Sequence, residues 1–233
     1  MAKRANVKRV VSELKSLGKP ECIEGMVRYG IQSKGALAVP MSDITRMAKK
    51  IGTDHDLAQE LWETDIFDAR VLASFIDDPD QVTKRQMERW VKGFDSWAIC
   101  DGVCNHLFSE TKYAYDKAFE WTTRDEEFVK RAGFALMASL TVHDKKTDDA
   151  TFLRFLPLIV KYSKDDRVYV KKAVNWALRQ IGKRNLRLNA KAIEAGERIG
   201  KIDSKSARWI ASDALRELRS SVVQKRLRSR EQG

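Results

Sequence analysis

Apolar residues recur at three- and four-residue steps along most of this chain, the period of amphipathic helices rather than the alternation of strands. Thr53-Asp54 precedes Leu57, Leu61 and Trp62; Asp65 precedes Phe67, Val71, Leu72 and Phe75; Asp125-Glu126 precedes Phe128, Ala132, Ala135, Leu136 and Leu140. An acid ahead of each run suits an N-cap or complements the helix dipole, so a helix is expected to open at each. The interruptions are brief: Asp77-Asp78-Pro79-Asp80, Lys145-Lys146-Thr147-Asp148, Ser163-Lys164-Asp165-Asp166 and Gly200-Lys201-Ile202-Asp203. They are too short for domain linkers. The pattern predicts an all-α protein, with residues 1–220 as a single domain and residues 221–233 as a basic tail.

A loose repeat runs through the pattern. Asp68-Ala69-Arg70-Val71-Leu72-Ala73 finds counterparts in the blocks around Arg131, Lys172 and Arg208, each a basic residue beside a small-apolar helix face. The spacing of roughly 30–40 residues is that of two-helix solenoid repeats of the HEAT and armadillo type. The expected architecture is therefore an α-solenoid of stacked helix pairs with a concave basic face. If Arg70, Arg131, Lys172 and Arg208 are equivalent, they form a basic stripe; the alternative is that each pairs with its local acid.

Composition adds the partner. Lys and Arg number 44 against 33 Asp and Glu, a net charge of +11, and the apolar fraction of 43% is ordinary for a folded chain. Such a positive excess points to a polyanion, with nucleic acid first. No apolar run approaches the ~20 residues of a membrane span. The start of the chain has basic residues but no apolar segment typical of a secretory signal. Three cysteines give no disulfide framework, so a reducing, cytoplasmic compartment is expected.

Against that basic background, Trp97 and Asp101 lie four residues apart on one helix face, an aromatic plane beside a carboxylate. A second aromatic, Trp176, sits in Trp176-Ala177-Leu178-Arg179-Gln180. Trp62, Trp90 and Trp121 read as core. Cys100, Cys104 and His106 provide three of the four ligands zinc needs and read as packing. His55 and His143 have no evident nucleophile, and no glycine spacing makes a phosphate loop.

Several blocks resemble the DNA alkylation repair family of HEAT-like-repeat DNA glycosylases. Leu61-Trp62 with Asp68-Ala69-Arg70-Val71-Leu72-Ala73 is similar to a helix pair of that family, with Asp in place of the usual Glu. Trp97-x-x-x-Asp101 has the spacing of its aromatic and catalytic aspartate, Lys130-Arg131 fits its active-site arginine, and Trp176 with Arg179 fits a second aromatic and a DNA-contacting arginine. The resemblance runs from about residue 54 to about residue 219. Ser96 stands where some members have another Trp, and Ala98 where many have Asp.

The resemblance implies a monofunctional glycosylase that releases cationic N3- or N7-alkylpurines from duplex DNA without flipping the base, and without metal or organic cofactor. Asp101 would be catalytic; Trp97, Trp176 and Arg131 would hold the sugar and its phosphate. Lys130, Lys172, Arg179, Lys183, Arg184, Arg187 and Arg208 are the expected DNA contacts, and a monomer is the expected state. Two rivals keep the same fold: a non-catalytic module that reads damaged, bent or branched DNA by shape, and a protein-binding scaffold.

Overall fold

Side-chain oxygens of Asn6, Asp54, Thr83, Ser96, Asp148, Asn185 and Ser204 each accept from the backbone N–H three residues on. Each satisfies a donor that the first turn leaves without an intrahelical partner, which is why seven helices start where they do. The computed structural model describes residues 6–31 and 35–231. The expected absence of a secretory signal concerns a segment whose residues 1–5 lie outside these, as do residues 232 and 233 of the expected tail.

Contacts divide the chain into two compact units, residues 1–113 and 114–233. The first holds α1 (Val7–Leu17), α2 (Ile23–Arg28), α3 (Met41–Ile51), α4 (His55–Trp62), α5 (Phe67–Ile76), α6 (Lys84–Lys92) and α7 (Trp97–His106). The second holds α8 (Ala114–Thr122), α9 (Glu127–His143), α10 (Asp149–Leu153), α11 (Leu156–Tyr162), α12 (Val168–Gly182), α13 (Leu186–Gly200), α14 (Lys205–Leu218) and α15 (Ser221–Glu231). No strand occurs among the described residues. Connections of three or four residues join α4 to α5, α8 to α9, α12 to α13 and α13 to α14, and each of these pairs packs together.

In the first unit the core is aromatic. Trp62 and Trp90 stack with centroids 4.0 Å apart, Phe94 meets Trp62 edge-on, and Phe108 lies tilted against Trp90. Asp68 is buried, and its carboxylate accepts from Leu37 N at 2.6 Å and Val39 N at 2.8 Å. These two bonds flank Ala38, whose φ of 56° is left-handed and costs an L-residue energy. The acid thereby holds a strained turn against α5.

In the second unit α9 is the central helix, buried from Val129 to Thr141, and it packs on both α8 and α12. Gly133 permits the first contact: a Cβ there would stand 2.6 Å from Thr122 N. Within the stretch read as a basic tail, α15 seats Val223 and Leu227 against α13 and α14.

Two sequence expectations are corrected. Asp65 caps nothing; at φ 58° it pairs with Arg70 at 2.5 Å, and Ile66 occupies the cap position of α5. Asp125-Glu126 likewise gives α9 no side-chain cap; the Glu126 carboxylate pairs instead with Arg124 at 2.6 Å.

Candidate nucleic-acid interface

The α7 end of the first unit presents the aromatic–carboxylate pair. Ser96 is wholly buried and caps α7 through Ile99 N, so the residue that replaces a tryptophan of the resembled pattern has a local job. Trp97 is the first residue of the helix, partly exposed, and its Nε1–H donates to Tyr29 O at 2.8 Å. Asp101 follows one turn later on the same face, also partly exposed. The buried stripe of α7 runs beside this pair: Cys100 and Cys104, three residues after Trp97 and Asp101, are fully buried with Val103, and the ring of His106 stacks on Phe75 at 4.1 Å. Trp97 and Asp101 therefore stand at the edge of the buried stripe, each partly exposed.

In the second unit Trp176 is partly exposed on α12, and Lys172 lies four residues before it on the same face. Lys172 and Arg187 are exposed, and neither has an ion-pair or hydrogen-bond partner among the described residues. Arg208 is exposed and pairs with Asp203 at 2.9 Å. These three remain able to reach a phosphate.

The other expected DNA contacts are engaged inside the protein. Arg131 is buried, with 5% of its surface exposed, and donates to Tyr169 O at 2.6 Å, tying α9 to the first turn of α12. Lys130 is buried against the Tyr162 ring at 4.7 Å with Asp165 at 3.8 Å. Arg184 donates to the carbonyls of Thr141, Asp144 and Thr147 and lies 4.3 Å from the Phe152 ring centroid. Arg179 bonds Asp213 at 2.9 Å and Glu217 at 2.6 Å, and Lys183 reaches Glu217 at 2.8 Å. Helical periodicity puts Lys130 and Arg131 on α9 and Arg179 on α12, while Lys183 and Arg184 fall in the connection between α12 and α13. It could not show which carbonyls and carboxylates the neighbouring helices bring up to them.

The expected stripe is corrected for the same reason. Arg70 bonds Trp62 O and Gly93 O and faces the Trp62 ring at 4.9 Å, while Arg131 is buried. Only Lys172 and Arg208 of the four are exposed.

The ion pairs also set the local acids. Burial alone raises the Asp213 carboxyl, but bonds from Asn175 and Arg179 and the charge of Arg216 outweigh it and hold the group below its ordinary value. Burial likewise raises Asp165, and Arg167 with Lys130 reverses the effect.

One residue was not singled out from the sequence. Trp209 on α14 is 41% exposed, with Lys171 Nζ 5.1 Å from its ring centroid. Its helical neighbours Lys205, Ser206, Ser212 and Asp213 are all polar, a signal that marks it as outward-facing. An exposed indole among cations offers a stacking platform for a base.

The family model described as DNA alkylation repair enzyme matches residues 10–218. The fold is similar to a solved structure described as "a new family of proteins related to the HEAT-like repeat DNA glycosylases with affinity for branched DNA structures". That likeness has a TM-score of 0.77 and 24% identity, and covers 91% of this chain and 95% of the other. No curated protein matches the chain. The all-helical, HEAT-like architecture read from the periodicity is what this likeness shows. No helix of the described residues is long and apolar enough to cross a membrane.

Proposed function

The chain belongs to the DNA alkylation repair enzyme family, and on that premise we propose that it is a DNA glycosylase acting on N3- and N7-alkylpurines. The observation that carries the reading is the pairing of Trp97 and Asp101, both partly exposed, one turn apart on α7. Alkylation at N3 or N7 makes the purine cationic. When the C1′–N bond breaks, its electron pair neutralises the purine, and positive charge passes to the deoxyribose as an oxocarbenium ion. The Asp101 carboxylate stabilises that developing charge, which the ground-state sugar lacks, so it accelerates the step rather than merely tightening binding. Water adds to C1′ and gives up a proton, leaving an abasic site and the free alkylpurine. Protonation of the base is unnecessary.

Trp97 favours the same cation through its ring face, at about 0.5–2 kcal/mol for a well-placed contact. Trp176 is assigned the partner role by its place in the resembled pattern. Arg131 acts as a positioning residue, since it fixes the start of α12, on which Trp176 is carried. Lys172, Arg187 and Arg208 supply phosphate contacts, and Trp209 a stacking surface.

A second reading is a module that binds branched DNA without cleaving it. It is favoured by the affinity for branched DNA described for the similar structure, and by the exposed indole of Trp209, which suits an unpaired base.

The test measures free 3-methyladenine and 7-methylguanine released from methylated duplex by the wild type and by Asp101→Asn, with binding to duplex and to a four-way junction in parallel. Release that falls at least about tenfold in Asp101→Asn, with binding intact, supports the enzyme. Absence of release by protein that binds the junction more tightly than the duplex supports the module and rejects the glycosylase.

A further inference from the structure

A cavity of about 520 Å³ opens in the second unit where the C-terminal ends of α9 and α12 meet α15. Five cations line it, Lys145, Lys183, Arg184, Arg226 and Arg230, together with the polar groups of Gln180 and Asn185. No carboxylate is among its lining residues in the described part of the chain. Elsewhere in this unit two carboxylates each serve a pair of cations: Asp165 faces Arg167 and Lys130, and Asp213 faces Arg179 and Arg216. Around the cavity only Lys183 meets a carboxylate, Glu217, among the described residues.

The five cations are not equivalent. Arg184 is held by three backbone carbonyls, and Lys183 is partly neutralised by Glu217. Lys145 is exposed and donates only to Val142 O. Arg226 and Arg230 are exposed, four residues apart on one face of α15, and neither has a partner among the described residues. Like charges at that spacing repel along a helix. Burial of Val223 and Leu227 nevertheless fixes α15 so that both guanidinium groups border the cavity. Apart from Glu217 at Lys183, the described residues therefore bring these cations together without a carboxylate to offset them, the arrangement expected where an external anion completes the site.

Position identifies the anion. Lys172, Trp176 and Gln180 recur on α12 at steps of four residues and so share one face, which the cap residue Lys183 continues just past its end. The cavity is the continuation of the face that carries Trp176 and the unpaired Lys172. We propose that this cavity seats a backbone phosphodiester of the bound DNA, gripped by Lys145, Arg226 and Arg230, so that α15 is a DNA-binding element. The proposal rests on the DNA-binding part of the proposed function and is independent of whether a base is released.

The experiment follows binding of an unmodified fluorescent 20-base-pair duplex against salt, for wild type and the Arg226→Gln/Arg230→Gln double variant. Lys8→Gln/Arg9→Gln, two exposed cations of α1, is the control for net charge. The removed side chains are exposed, so the double variant is expected to fold, and its thermal melt is recorded beside the wild type. Affinity is expected to fall about tenfold near 0.1 M salt, and the log–log salt slope to become less steep by about 0.9 to 1.8, the value for one or two neutralised phosphates. The control leaves the slope unchanged.

An unchanged slope in the double variant overturns the proposal. So does an equal loss in the control, which reduces the effect to net charge, and so does a wild type without affinity for the duplex. Inorganic phosphate, titrated at fixed ionic strength, forms the last arm. If the double variant loses phosphate binding but keeps wild-type duplex binding, the occupant is the free ion and the DNA assignment falls. Failure of base release leaves all these readings untouched.

Discussion

Two helices, each carrying a part-exposed tryptophan, use it in opposite electrostatic settings. On α7, Trp97 has a carboxylate one turn later and a fully buried cap serine before it. On α12, Trp176 has Lys172 one turn before it, and Gln180 and Lys183 lead from it to a cavity lined by cations. The first setting attracts positive charge; the second attracts phosphate. A protein that only gripped DNA would gain nothing from a carboxylate presented beside an indole, whereas one that stabilises a sugar cation needs both settings.

The sharpest way to break that comparison is to remove each setting in turn. Asp101→Asn is expected to reduce base release by about 10²- to 10³-fold while leaving duplex affinity intact. Lys172→Gln/Arg187→Gln is expected to do the reverse, lowering the salt slope by about 1.8 and weakening binding, with release at saturating protein preserved. Single-turnover release and salt-dependent binding, measured on both variants, check the pair. If both variants lose the same quantity, the division between chemistry and grip is wrong.

A smaller effect concerns how the second unit is built. Arg184→Met deletes a guanidinium that donates to three carbonyls and lies over Phe152. The carbonyls are left without those donors, so a loss of about 3 kcal/mol is expected in urea unfolding. A variant as stable as wild type would return Arg184 to the set of available DNA contacts.

Acid distinguishes the units more gently. Burial raises Asp144, Asp165 and Asp213 in the second unit, but bonds from Thr147 and Tyr115, from Arg167, and from Asn175 and Arg179 outweigh it, and all three lie below 3.8. Each contributes stability that is complete above 3.8 and lost as pH falls through the lowered native value. In the first unit, burial dominates at Asp77 and raises its carboxyl, despite bonds from His55 and Gln86. Its contribution has the opposite sign, present below 3.8 and lost as pH rises through the raised value. Asp78 is lowered but lies at the surface, where solvent screens the effect. Hydrogen exchange between about pH 4.5 and 2.5 is therefore expected to open α9 and α12–α14 before α4–α6. Earlier opening of α4–α6 contradicts this assignment of charges.

The smallest effect is at the cap. Ser96→Ala removes the oxygen bonded to Ile99 N and is expected to cost about 1 kcal/mol in thermal or urea unfolding, with release unchanged. A loss of release as large as that of Asp101→Asn would make the cap part of the chemistry.

Much of the fold was legible because helix formation is a local transaction between neighbouring residues. Asp54, Asn185 and Ser204 stand three residues before the N–H groups they bond, and their helices open where such residues meet an apolar period. Trp62, Trp90 and Trp121 read as core and are buried. That Trp97 and Asp101 share one face of α7 was legible for the same reason, since four residues make about one helix turn. Trp209 was passed over although its polar neighbours marked it.

The fate of the arginines was not legible. Arg184 and Lys172 look alike in the chain, yet one faces carbonyls 37 to 43 residues away in sequence and the other faces solvent. Arg131 meets Tyr169 O across 38 positions, and Asp68 reaches back 29 and 31 to hold Val39 and Leu37. Helix starts, the all-helical class and the α7 face follow from chemistry within one or two turns, which the order of residues states directly. Which cations are buried as ties, and which gather around an open cavity, depends on backbone carbonyls and carboxylates brought up by helices distant in the chain. Only packing supplies those partners, because a long charged side chain goes wherever its charge is best satisfied.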